Sequence, residues 1–223
     1  MAQELGKIER PTAESYSGTR KIFLVPLVYS PTEPPPDYVG MLERYWAGAR
    51  NQIRRLAERT SPVVRIYHEG IFDSGETALK MIEQINPRSH ALIAEYVQAS
   101  ATVEALEDGD VFAESVDWQR CLMAGLMSRK VIDLALNGYR ESTSKRYEMM
   151  AQHIDQTLKE GESAILLVQE NHSIQFPKDI QVFYVAPPAL DEIRRWLRDR
   201  EERNRRQADE AATEQPAAAS TEA

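Results

Sequence analysis

The chain has 223 residues, 42% of them hydrophobic and 28% charged, with a formal net charge of −8. That length suits one substantial core and is short for two full-sized domains, while the composition excludes wholesale disorder and a fibrous repeat. The acidic balance argues against a protein built mainly to neutralise phosphates, so nucleic acid is not an expected partner.

Met1 to Arg20 is polar, lacks the apolar core of a signal peptide, and reads as a flexible N-terminal segment. Lys21 to Tyr29 (KIFLVPLVY) is a β-branched and aromatic run that predicts a buried strand, with Pro26 marking an edge or an irregularity. Pro31 and Pro34 to Pro36 predict a stiff loop, and Asp37 is placed to cap the next helix. There Tyr38, Leu42, Tyr45, Trp46, Ala49, Ile53 and Leu56 recur at helical spacing, with Arg44, Arg50, Arg54 and Arg55 mostly between them. Ser61-Pro62 ends that helix. Val63 to Phe72 begins a second strand that terminates near His68-Glu69-Gly70, and strand, helix, strand implies a parallel crossover.

Glu76 to Ile85 carries a short helical stripe that Asn86-Pro87 closes, and Ser89 to Val103 has both helical and strand character. Glu107 to Asp110 reads as a turn. Helices are expected over Val111–Leu126 and Ser128–Lys159, the second interrupted near Gly138, followed by strands at Glu162–Glu170 and Ile180–Val185 and a helix from Ala189 to about Arg206. Residues 208–223, acidic and alanine-rich, offer nothing large to bury and read as a disordered tail. The expected fold is therefore one α/β domain over 21–207, with a mainly parallel sheet of about four or five strands and helices on both faces. The lone Cys121 excludes an internal disulfide, and with no run approaching the roughly 18 apolar residues of a membrane span, a soluble, cytoplasmic protein is expected.

No phosphate-cradling glycine loop, paired Cys-x-x-Cys, His-Glu-x-x-His or Gly-x-Ser-x-Gly elbow occurs. Candidate chemistry therefore rests on polar residues at strand ends, where ligands of open α/β sheets collect. His68 and Glu69 close the second strand; Glu170, Asn171 and His172 close the third. If those strands are parallel neighbours, two imidazoles and two carboxylates converge, a set suited to proton transfer or to holding a divalent metal through His68, Glu170 and His172. The plainer alternative has each histidine bonding a loop carbonyl. On the helices, Glu114, Asp117, Trp118 and Cys121 share one face, as do Arg146, Met150 and His153, so that a pair of Arg146 with Asp117 or Glu114 would hold two helices in register. Cys121, among Leu122, Met123 and Leu126, reads as a small core residue. The arginines from Arg44 to Arg55 read as solvated surface.

Arg146 to His172 (RYEMMAQHIDQTLKEGESAILLVQENH) resembles the closing segment of the TraB and erythromycin-esterase-like superfamily, in which an Arg opens a helix bearing a Met-Ala pair, a Gly follows, and an apolar strand delivers a His. Arg146, Met150-Ala151, Gly161 and His172 occupy those places, His68 resembles the earlier strand-end histidine, and Glu114 its acidic partner. The pattern's Gly before the final His is replaced by Glu170-Asn171. The resemblance implies hydrolase, metal-dependent protease or haem-binding activity. Three functions follow as expectations. The first is a hydrolase-like enzyme in which His68 and His172, assisted by Glu69 or Glu170, bind a metal or act as base while Arg146 orients an anionic group of a small molecule. The second is a non-catalytic module that binds another protein, and the third an RNA- or ribosome-associated factor using Arg44 to Arg55.

Overall fold

The computed structural model describes residues 18–31 and 33–214, with side chains to 207. Most of the expected flexible N-terminal segment, and the last part of the expected tail, 215–223, lie outside the described residues. The elements run β1 (Arg20–Pro26), α1 (Pro36–Arg59), β2 (Val63–His68), α2 (Gly75–Ile85), α3 (Pro87–Gln98), β3 (Thr102–Val103), α4 (Gly109–Met123), α5 (Arg129–Thr157), β4 (Ser163–Val168), β5 (Ile180–Tyr184) and α6 (Pro188–Glu214). The chain divides into two compact units, one of Met1–Tyr29 with Ala49–Ala186 and one of Ser30–Gly48 with Pro187–Ala223.

The first unit holds the sheet, whose five strands are all parallel in the order β3-β2-β4-β1-β5. This is the expected α/β architecture. The late strand β4 sits at its centre, fully buried along its length, which accounts for the continuous apolar run SAILLV. Pro26 is not on an edge strand, as β1 lies between β4 and β5. Leu27 N–H donates to Val168 of β4 and Leu24 accepts from Val185 beyond β5, so alternation turns the nitrogen of Pro26 toward β5. Pairing with β5 has ended by then, at Leu24, and the missing donor removes no ladder bond.

Alternation also sorts the two faces. Ile22, Leu24, Tyr67, Ala164, Leu166 and Val168 pack with Met150 and Ile154 of α5 and with Leu158 that ends it, and Leu106, Ile174 and Ile180 complete that core. On the other face α3 presents Ser89 to His68, and its Glu95 pairs with Arg50 of α1 at 2.7 Å. The stretch of mixed character resolves into α3 and the two-residue β3, with Asn86 ending α2 and capping α3 through a bond from Ser89 N. α4 and α5 form a hairpin. α5 runs without interruption through Gly138, where a Cβ would lie under 3.0 Å from three atoms of the Trp118 ring. That glycine marks a close helix contact, not a break.

In the second unit, helix α1 starts at Pro36, so Asp37 lies in its first turn instead of capping it, and its carboxylate accepts from Trp196 Nε1 of α6 at 2.8 Å. Tyr38 and Trp196 lie with ring centroids 4.4 Å apart, and Arg44 pairs with Glu192. α6 continues to Glu214, into the segment expected as tail from Ala208. Among the described residues, no helix is long and apolar enough to cross a membrane.

Candidate functional site

At the carboxyl ends of the strands of the first unit lies a cleft of about 450 Å³. Tyr29 beyond β1, Glu69 and Gly70 beyond β2, and Gln169 beyond β4 supply its strand-end wall. Phe72 of the loop before α2, Met81 and Ile85 of α2, Phe112, Val116 and Gln119 of α4, and Arg146 of α5 supply the rest. The lining is mostly apolar with a few convergent polar groups, the usual make-up of a small-molecule site.

Its polar end is built from three charged side chains brought from far apart in sequence. Arg146 donates through Nε to Glu107 Oε2 at 2.7 Å and through Nη2 to Glu107 Oε1, a two-pronged contact. The same Nη2 donates to Glu69 Oε1 at 2.9 Å. Glu69 Oε2 accepts from Gln169 N at 2.6 Å, and Glu107 Oε1 from Gly70 N at 2.9 Å. Gly70 adopts φ +82, a left-handed turn that a glycine takes without strain and that aims its N–H at Glu107. The loop bearing Glu107 is held by the N–H groups of Leu106 and Glu107 donating to Ile71 O. The guanidinium carbon of Arg146 lies 5.1 Å from the Phe112 ring centroid and 5.8 Å from that of Tyr147. The side chain of Glu107 is 0% exposed, that of Glu69 4% and that of Arg146 13%. Burial raises the Glu69 carboxyl above its ordinary range despite the Gln169 amide and Arg146. At the cleft, burial and then the charge of Glu69 push the Tyr29 phenol up to about 12.

The expected residues divide accordingly. Glu69 and Arg146 meet in the cleft. His68 does not join them, even though β2 and β4 are parallel neighbours as the convergence required. Successive side chains of a strand point to opposite faces. Tyr67 and Glu69 turn toward α5, where the Tyr67 hydroxyl meets Thr157 Oγ1 at 2.7 Å, while His68 turns to α3. Its Nδ1 donates to Glu69 O at 2.6 Å, its Nε2 lies 3.0 Å from Ser89 Oγ, and it is fully buried. Burial lowers its pKa to about 4 and keeps the ring neutral. His172 accepts from Ile174 N at 3.3 Å and sits edge-on to Phe176, and Glu170 accepts from the Tyr184 hydroxyl of β5 at 2.9 Å. The three expected metal ligands are thus engaged separately, His68 by Ser89 of α3, Glu170 by Tyr184 of β5 and His172 by its own loop. Among the described residues, no group of three His, Cys, Asp or Glu converges to hold a metal ion. The set does not fit a divalent metal.

The helix-borne expectations are also corrected. Arg146 is taken by Glu107 and Glu69; Asp117 pairs instead with Arg120, and Glu114 accepts from Trp118 Nε1. Cys121 is exposed near the end of α4, not a core residue. Met150 is core, and His153 bonds Leu106 O at 2.9 Å. Glu107 is the site residue that the sequence reading missed. It was legible only as part of a turn, and its one local signal is an acid between buried Leu106 and the helix cap Asp108. No protein-family model, curated protein or solved structure matches the chain.

Proposed function

We propose that the protein binds a small organic molecule in the strand-end cleft and acts on it as a hydrolase-like enzyme, with Glu69 moving the proton and Arg146 positioning Glu69. The observation that carries this reading is a buried carboxyl, raised above its ordinary range, lining an apolar cleft at the carboxyl ends of parallel strands. Such a group takes a proton from water or a hydroxyl and returns it closer to neutral pH than an exposed carboxylate does. Arg146, clamped by Glu107, fixes the direction of the Glu69 carboxylate. Of the residues behind the resemblance to the TraB and erythromycin-esterase-like superfamily, Arg146 is the one that lines the cleft. It supports a hydrolase of that broad kind without a histidine base.

Wild type and E69Q assayed against chromogenic esters, amides and glycosides test this reading. Turnover by wild type is expected, with kcat/KM at least about 100-fold lower in E69Q and a native circular dichroism spectrum, with some loss of thermal stability because a Gln side chain has one oxygen to offer the two donors, Arg146 and Gln169 N, that Glu69 satisfies. Equal turnover by both proteins, or none by wild type across the panel, removes the reading.

A second reading, a module that binds another protein, has its own observation. Met123, Met127, Val131 and Leu134, around the α4–α5 turn, are 79%, 98%, 44% and 63% exposed. Clustered exposed apolar side chains are a common mark of protein contact. The arginine stripe of α1 offers less to RNA, since Arg44 and Arg50 are engaged by Glu192 and Glu95.

A further inference from the structure

The polar end of the cleft holds two carboxylates and one guanidinium, all of them largely out of water. Glu107 takes one edge of Arg146 through two N–H groups, so this pair is close to neutral as a unit. Glu69 shares only the remaining hydrogen of Nη2, and the charges that act on it are Arg146 and Glu107 alone. Among the described residues, no second cation offsets its charge. A buried carboxylate without full compensation is costly, and two remedies exist: it takes up a proton, or a cation joins it.

The geometry leaves room for the second remedy. An ionised carboxylate has about four acceptor positions, and Glu69 uses one on each oxygen, for Arg146 and for the Gln169 amide. Tyr29 and Phe72 line the same cleft, and aromatic rings attract cations as well as apolar surface, while the Phe112 ring already carries the Arg146 guanidinium. Met81, Ile85 and Val116 supply an aliphatic wall. The cleft volume of about 450 Å³ lies in the lower part of the roughly 300–1,000 Å³ range of small-molecule sites. One feature favours the opposite sign: Nη1 of Arg146 has no hydrogen-bond partner among the described residues, and an anion would seek it. Glu107 already neutralises that guanidinium, however, and an anion placed there would face Glu69 across the same small space. This reverses the expectation that Arg146 orients an anionic group.

We infer that the ligand of this cleft carries a cationic nitrogen on an apolar body about the size of one aromatic ring, with the cation seated on Glu69. The inference rests on the reading of the cleft as a ligand site and adds its charge class.

Three isosteric probes decide the matter by calorimetry on the full chain near neutral pH: benzylamine, benzyl alcohol and benzoate. The expected result is that benzylamine binds at least tenfold tighter than benzyl alcohol, a difference of about 1.4 kcal/mol, and that benzoate binds no better than the alcohol. In E69Q the amine loses its advantage while the alcohol is unaffected, and V116W, which fills the cleft, abolishes binding of the amine. Benzyl alcohol or benzoate binding wild type as tightly as the amine overturns the charge class but leaves the cleft reading standing. Amine binding that survives V116W places the cation elsewhere and overturns the assignment. Failure of all three probes to bind removes the cleft reading together with the inference. The comparison within wild type needs no variant, so misfolding of E69Q or V116W would not blunt it.

Discussion

His68 and Glu69 are adjacent in sequence and face opposite sides of the sheet, and their burial acts on them in opposite senses. Burial lowers the pKa of His68 to about 4 from the ordinary 6.5. As pH falls, the unfolded chain therefore takes up this proton before the folded chain does. The contribution of His68 to stability is complete above pH 6.5, is lost as pH falls from there toward 4, and changes no further below. A shift of that size corresponds to about 3 kcal/mol. Stability of wild type and H68N, measured by urea unfolding across that window, is expected to show the drop in wild type and a flatter profile in H68N. Parallel profiles would mean that the ring takes up its proton in the fold as readily as in the unfolded chain. Glu69 works in the other direction, since its raised carboxyl favours the folded state while protonated and loses that advantage as pH rises through its own range. That His68 and Glu69 end a strand was legible from VVRIYHEG; that they part company follows from the two-residue period, once Tyr67 is known to face α5. Which face holds α5 is a long-range fact, as is the arrival of Glu107 at Gly70 across 37 residues. Local pattern contains neither.

At the scale of elements, the apolar periodicity located the helices other than α3, which lies within the stretch of mixed character, because a face that must be buried repeats at helical spacing whatever it packs against. It misjudged Gly138, where propensity alone argues for a break. The physical reason for the glycine lies on another helix, in the Trp118 ring of α4. Replacing Gly138 with Ala is expected to lower stability by about 1–3 kcal/mol through overpacking, although Ala in an open helix interior is favoured over Gly by roughly 1 kcal/mol. Gly40 of α1 provides the contrast, for a Cβ there would meet only the flexible end of Arg44 at 3.5 Å. G40A should therefore gain stability where G138A loses it, as thermal melts of the two variants would show. A gain in both would mean that α4 and α5 do not approach as closely as this. The ends of elements were read less well than their centres. The strand assignment of β1 stops at Pro26 instead of Tyr29, since the pairing partners on either side have run out, a condition set by β4 and β5.

For the molecule as a whole, a parallel α/β sheet was legible from the alternation of apolar strands with helical stripes, but the strand order was not. β1 bonds to β4 and β5, and the longest partner of β2 is also β4. A fragment ending at residue 158 would keep β1, β2 and α1 through α5 yet leave β1 with no hydrogen-bonded neighbour. It is expected to be unfolded or molten by near-ultraviolet circular dichroism and amide exchange, whereas native-like protection of β1 would show that the helices alone can hold it. The same order has a consequence for synthesis. The ribosome releases the two flanking strands first and their shared central partner only after roughly a hundred further residues, on the order of 5–20 s later. For that interval β1 has neither of its hydrogen-bonded neighbours and β2 has only the two-residue β3, so stalling there leaves the edges that β4 will join open to water or to chaperones.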